Sequence, residues 1–95
     1  MDVTPFARKV IKTDGSAVDY PPKGEHYTLQ ELKDAIGGGY IEIVHPGGDA
    51  RYLMVLDEEG KIKGLPLNRQ ATRLYAQPPD YIVGDVLVCL DGDIE

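Results

Sequence analysis

Residues 57–73, Asp-Glu-Glu-Gly-Lys-Ile-Lys-Gly-Leu-Pro-Leu-Asn-Arg-Gln-Ala-Thr-Arg, compress a strand-closing turn, a fixed loop and a helix start into one passage. Pro66 stops any strand before it, because it has no N–H to give a ladder, and Asn68 is a favoured helix N-cap. The middle of the chain must therefore switch from strand to helix within a few residues. Charge switches there too. The turn is acidic, whereas from position 61 to 79 every formal charge is positive, carried by Lys61, Lys63, Arg69 and Arg73. In a chain of net charge −6, such a local cationic patch points to an anionic partner.

On either side of this passage the pattern is of short elements. Residues 6–12 read as a strand closed by Thr13-Asp14-Gly15-Ser16, with residues 17–20 returning beside it. Pro21-Pro22-Lys23-Gly24 then breaks regular structure. Thr28 with Glu31 three residues on forms a capping box, Tyr27 and Leu32 stand where a hydrophobic staple would, and Leu29, Leu32 and Ile36 form one apolar stripe. Gly37 supplies the left-handed position that ends this helix. Residues 40–45 alternate as a strand, Pro46-Gly47-Gly48-Asp49 makes a loop tip, and residues 52–56 return antiparallel. After the turn at 57–60, residues 61–64 predict a short strand with Ile62 inward. The second helix is expected over 69–76, with Ala71, Leu74 and Tyr75 on its buried side and Pro78-Pro79 ending it. Residues 81–83 and 85–90 read as a final strand kinked at Gly84. Runs of strands punctuated by two helices imply an α+β fold, a small antiparallel or mixed β-sheet with two short helices. The whole of 1–95 is expected to be a single domain: an N-terminal hairpin and proline-rich connection over 1–24, a core over 25–90, and an acidic, solvated tail over 91–95.

With 95 residues at 42% hydrophobic, one modest core is possible, and self-association would help it. An apolar edge at residues 86–90 would need covering, so a homodimer or higher oligomer is expected. Six Tyr against one Phe and no Trp suit half-exposed faces and interfaces. A lone cysteine, Cys89, excludes an internal disulfide and fits a reducing compartment. Residues 1–10 have no apolar signal-like stretch, and no apolar run approaches a membrane span, so a soluble, cytoplasmic protein without membrane contact is expected. Both halves, 1–50 and 51–95, carry five basic and eight acidic residues, which leaves no basic tail for duplex nucleic acid.

Several blocks occur in an order that resembles the phage and bacterial "domain of unknown function 3846" family. They are the helix over 27–36 leading to Gly38-Gly39-Tyr40-Ile41-Glu42, the turn over 57–61, the Leu-Pro-Leu-Asn-Arg-Gln-Ala-Thr helix start over 65–72, and Val83-Gly84-Asp85-Val86. The similarity runs from Tyr27 to Cys89, with Gly37-Gly38-Gly39 and the tip at 46–49 as local variation. What this resemblance implies is a small accessory protein of a kind carried in phage genomes, one that counters host immunity, acting in the host cytoplasm if phage-encoded.

The candidate ligand-binding residues are Asn68, Arg69, Thr72, Arg73, Tyr40 and Tyr75. Arg69 at the first helical position faces the positive end of the helix dipole, which costs roughly 0.3–1 kcal/mol unless an anion offsets it. A helix start offers backbone amides, and guanidiniums four residues apart share a face, so the group would suit a phosphate or carboxylate. The alternative reading is that Asn68 only caps and the arginines meet acidic neighbours such as Glu58 or Asp80 on the surface. Tyr27, Tyr40, Tyr52, Tyr75 and Tyr81 lie near element boundaries, where rings can stack on a base or pack with their hydroxyls in solvent. Gly37-Gly38-Gly39 lies at a helix C-terminus, where the dipole repels anions, and is read as a turn. His26, His45 and Cys89 have no metal-ligand spacing, Cys89 sits in an apolar run, and 91–95 falls short of a calcium loop, so no metal or cofactor is expected.

No catalytic constellation names a reaction. The expected function is a non-enzymatic, phage-type counter-defence protein that binds and sequesters a small anionic, nucleotide-like signalling molecule such as a cyclic nucleotide. The alternative is an interaction protein that blocks a host defence enzyme through its acidic surface. For the first helix the capping box makes a direct prediction: Thr28→Ala costs roughly 1 kcal/mol, read from a chemical denaturation midpoint.

Overall fold

A computed structural model describes residues 2–78 and 80–94. Its described residues form an antiparallel five-stranded sheet and two helices, an α+β fold as the sequence implies. The strands are β1 (Lys9–Ile11), β2 (Ala17–Asp19), β3 (Ile41–Val44), β4 (Tyr52–Asp57) and β5 (Val86–Leu90), and the helices are α1 (Leu29–Ala35) and α2 (Arg69–Tyr75). The sheet order is β2-β1-β5-β4-β3. The two hairpins, β1–β2 and β3–β4, are thus joined through β5, which pairs with β1 on one side and β4 on the other.

The two helices cover opposite faces. On one face Ile11, Met54, Leu56, Val86 and Val88 pack with Ala71 and Leu74 of α2. On the other, Val10, Leu53, Val55, Leu87 and Cys89 pack with Leu32 and Ala35 of α1. A strand covered on both faces has no solvent side, so β4 and β5 read as unbroken apolar runs rather than as alternating ones. Val86, Leu87, Val88 and Cys89 are all fully buried.

At the start of α1 both bonds of the capping box form: the Glu31 N–H donates to Thr28 Oγ1 at 3.1 Å, and the Thr28 N–H to Glu31 Oε1 at 3.0 Å. At its end Gly37, with φ +84°, lets the Gly38 N–H donate to the Lys33 carbonyl at 2.8 Å. Tyr27 and Leu32 are both buried in the α1-side core, where a staple would put them. Leu29 departs from the expected stripe. It is 58% exposed, and Ala35 takes its place with Leu32 and Ile36 in the core.

Three other expectations need correction. Residues 61–64 form turns, not a strand, and Ile62 is 86% exposed. The Lys63 N–H donates to the Glu59 carbonyl and the Leu65 N–H to the Gly60 carbonyl, so the loop closes on itself instead of pairing. Leu65 packs against Gly84, whose φ is +77° and where a side chain would meet Leu65 Cδ1 at 2.8 Å. Residues 81–83 likewise do not start β5. Ile82 and Val83 are buried but turn to the beginning of α2, with one antiparallel bridge between Leu67 and Val83. Finally, β5 is not an edge, so the apolar strand that argued for an oligomer is already covered within one chain. Helix α2 ends at Tyr75, where Ala76 is left-handed at φ +55°; Pro79, expected as its terminator, lies outside the described residues, as does Glu95 of the tail.

Within the tail Asp91 and Gly92 are exposed, but Asp93 is not solvated as expected. Asp91–Asp93 form a short 3-10 turn in which Asp93 is buried. The Arg8 guanidinium donates to both carboxylate oxygens of Asp93, Nη2 at 2.8 Å and Nε at 3.2 Å, and the Leu90 N–H donates to Oδ2 at 2.9 Å. The Tyr27 N–H donates to the Asp93 carbonyl at 2.8 Å, which ties the entry of α1 to this turn. Burial, the largest influence on Asp93, pushes its carboxyl up, but the Arg8 and Leu90 hydrogen bonds outweigh it and the pKa is lowered. A carboxylate with a depressed folded pKa contributes stability that is present above its unfolded value, near 4, and is lost as pH falls through the folded value. Asp93→Asn is therefore expected to cost roughly 1.5–3 kcal/mol at neutral pH and to flatten the loss of stability below about pH 4. Denaturation midpoints of the two proteins across that range check both parts.

Candidate functional site

Helix α2 is placed by the amide of Asn68, which is fully buried. Its Nδ2 donates to the carbonyls of Ile11, 3.0 Å away at the end of β1, and Gly84, 2.8 Å away before β5. Its Oδ1 accepts the Ala71 N–H at 3.1 Å as the helix cap. Both donors and the carbonyl oxygen of this buried side chain have partners within the protein, so Asn68 serves the fold. The Ala71 N–H, one of the amides at this helix start, is thereby taken up by the cap.

Thr72 is likewise committed. Its hydroxyl donates to the Asn68 carbonyl at 2.8 Å and accepts the Ile82 N–H at 2.9 Å, which pins the returning chain against α2. The outer face of the helix is different. Arg69 and Arg73 are exposed, and with Leu67 and Thr72 they line an open, shallow depression of about 270 Å3. Neither arginine takes part in the six ion pairs among the described residues. Neither meets Glu58 or Asp80.

The cationic passage read from the sequence therefore divides in two. Lys61 Nζ donates to Asp80 Oδ1 at 2.6 Å and lies 4.3 Å from the centre of the Tyr81 ring, while Lys63 Nζ donates to buried Asp57 at 2.7 Å. The Asp80 hydrogen bond raises the Lys61 pKa, and the same bond lowers that of Asp80. Both lysines are neutralised within the chain. Arg69 and Arg73 are left as its uncommitted cations in this region.

The two candidate tyrosines do not join them. Tyr75 is two residues beyond Arg73, about 200° round the helix axis, and faces the sheet. It lines a separate cleft of about 200 Å3 with Glu42, Val44, Glu58, Lys61 and Tyr81. Tyr40 precedes β3 and is 67% exposed, with its carbonyl accepting the Glu58 N–H at 2.9 Å. Of the six candidates, the structure brings Arg69, Thr72 and Arg73 together at one surface, with Asn68 beneath them.

The remaining reactive groups are quiet. Cys89 is buried and its thiol is pushed up to about 12 by burial, which removes thiolate character at neutral pH. His45 Nδ1 lies 2.9 Å from the Tyr52 carbonyl. Among the described residues no group of three or more His, Cys, Asp or Glu side chains is placed to hold a metal ion, and no helix is long and apolar enough to cross a membrane. Nothing local in the chain indicates which carboxylates pair with which lysines. The Asp80–Lys61 pair spans 19 residues, and only the return of the chain beside α2 brings them together.

Fold and surface together define a small antiparallel α+β domain with an open basic face on one helix. The chain belongs to the family described as domain of unknown function (DUF3846), whose profile matches residues 9–95. That match begins earlier than the resemblance at Tyr27 and takes in the β1–β2 hairpin. No curated protein and no solved structure matches the chain.

The roles assigned to Asn68 separate a cap from a keystone. At an ordinary N-cap Asn and Asp are equivalent. Here Asn68→Asp keeps the capping oxygen but turns an acceptor toward the carbonyls of Ile11 and Gly84, so it should destabilise as strongly as Asn68→Ala, by roughly 2–4 kcal/mol. Urea denaturation of the two variants side by side makes the comparison.

Proposed function

We propose that this protein is a non-enzymatic binding protein that captures a small anionic, nucleotide-like molecule through Arg69 and Arg73. One observation carries the reading: these two arginines are exposed and outside every ion pair among the described residues, whereas Lys61 and Lys63 beside them in sequence are held by Asp80 and Asp57. Uncommitted guanidiniums four residues apart on a helix suit a phosphate, which they can hold by charge-assisted, forked hydrogen bonds. On this reading the protein is a phage-type counter-defence factor that sequesters a signalling molecule such as a cyclic nucleotide in the host cytoplasm. The depression beside the arginines is shallow, so enclosing the ligand calls for a second copy placed across the same face, and a homodimer or higher oligomer is the assembly that would do it.

Mass spectrometry of molecules released on denaturing protein purified from cells with active nucleotide-signalling defence identifies the ligand. Arg69→Gln and Arg73→Gln keep helix propensity and bulk but remove bonds worth roughly 1.5–3 kcal/mol each, so affinity for that ligand in titration calorimetry should fall about tenfold or more. Stability should hold, with a slight gain at position 69, where a positive charge leaves the first turn of the helix. Unchanged affinity together with a loss of stability in both variants would overturn the reading.

A further inference from the structure

Strand β3 stands at the edge of the sheet and separates two clefts of different chemistry. Ile41 and Ile43 face α1 and line a groove of about 460 Å3 with Leu29, Leu32 and Ile94. Glu42 and Val44 face the other way and line the cleft of about 200 Å3 on the α2 side, to which Glu58 adds a carboxylate. The first groove leaves apolar surface open, since Leu29 is 58% and Ile43 43% exposed. The second leaves negative charge open. Glu42 and Glu58 are exposed and belong to none of the ion pairs among the described residues, while Asp80 is held by Lys61.

The backbone of β3 is placed to accept another strand. The Glu58 N–H donates to the Tyr40 carbonyl, so by the alternation of an antiparallel ladder Glu42 with Leu56 and Val44 with Met54 are the pairs that exchange bonds. The N–H and C=O groups of Ile41 and Ile43 then turn to the open side. The opposite edge is blunted. β2 has three residues and ends at Asp19, which is in an ion pair with Lys9.

We propose that β3 is a docking edge for an extended segment of a partner protein in which apolar residues alternate with lysine or arginine. A strand added to this edge sends successive side chains to opposite faces of the sheet. Its apolar set enters the groove beside Leu29 and Ile43, and its basic set meets Glu42 and Glu58. Charge selects this occupant over a second copy of the chain. A second β3 would bring another Glu42 to the acidic side of the edge, and with it a further net charge of −6. Arg69 and Arg73, on α2, take no part in this docking.

The probe is a synthetic peptide alternating valine and lysine, with a valine–glutamate alternation as its counterpart, each titrated into the full chain. The lysine peptide is expected to bind and the glutamate peptide not to, and hydrogen exchange at the Ile41 and Ile43 amides should slow in the complex. Glu42→Lys, a change at an exposed position, should leave the melting temperature in place and weaken the lysine peptide roughly tenfold. Ile43→Lys should weaken it comparably by putting charge in the apolar row. Arg73→Gln should leave this binding unchanged. The proposal is overturned if the lysine peptide does not bind, if both peptides bind alike, if both β3 variants bind as well as the parent, or if sedimentation shows a dimer that Ile43→Lys dissociates.

Discussion

The carboxamide of Asn68 is where the sheet and α2 are locked together. A fully buried amide is costly unless every donor and acceptor finds a partner, and this one satisfies the end of β1, the approach to β5 and the first turn of α2 at once. The backbone of the same residue accepts the Thr72 hydroxyl and donates to the Ile82 carbonyl, so the returning segment is bound to the helix it follows. With the first turn fixed in this way, helical geometry decides the rest. Ala71 and Leu74 go into the core, and Arg69 and Arg73 go out to solvent.

Charge is distributed by the same geometry. Each of the six ion pairs among the described residues uses an aspartate, and in two of them, Lys63–Asp57 and Arg8–Asp93, the carboxylate is buried while the cation stays partly in water. Exposed pairs such as Arg51–Asp49 contribute little to stability, even where the hydrogen bonds to Arg51 hold the Asp49 carboxyl down at about 2. The pairs with buried carboxylates do more, because they close the loop after β4 and fasten the residues after β5. What they leave over is a surface of two signs. Arginines stand free on the face of α2, and glutamates stand free beside β3.

Much of this was legible in the sequence where the determinant is local. The capping box at Thr28, the left-handed end at Gly37, the turn over 13–16 and the Asn68 cap each depend on neighbours a few residues away, and each forms as the residue types require. Legibility failed where a distant partner decides. Ile62 has the alternation of a strand residue, but a strand needs a neighbour, and the loop's own hydrogen bonds took its place. Leu29 has helical spacing with Leu32, yet it overhangs the sheet beside β3. Asp93 looked like one carboxylate among several in an acidic tail, because nothing near it in sequence shows that Arg8 lies within 2.8 Å. At the candidate site, both the arginine spacing and the turning of Tyr75 to the far side of α2 were readable from helical periodicity, whereas the absence of Tyr40 from that surface follows from the path of the sheet.

The position of β5 between β1 and β4 also sets an order of events for the folding chain. Two hairpins can form from neighbouring residues, but neither can join the other until Val86–Leu90 is in place between them. Until then the inward faces of β1 and β4 lack their central partner, and the contacts that close the sheet are the ones most separated in sequence. Such closure costs loop entropy before it returns any burial, and pairings this distant in sequence form more slowly than hairpins. During synthesis, the unfinished chain presents exposed strand edges for as long as residues 86–90 remain in the ribosome.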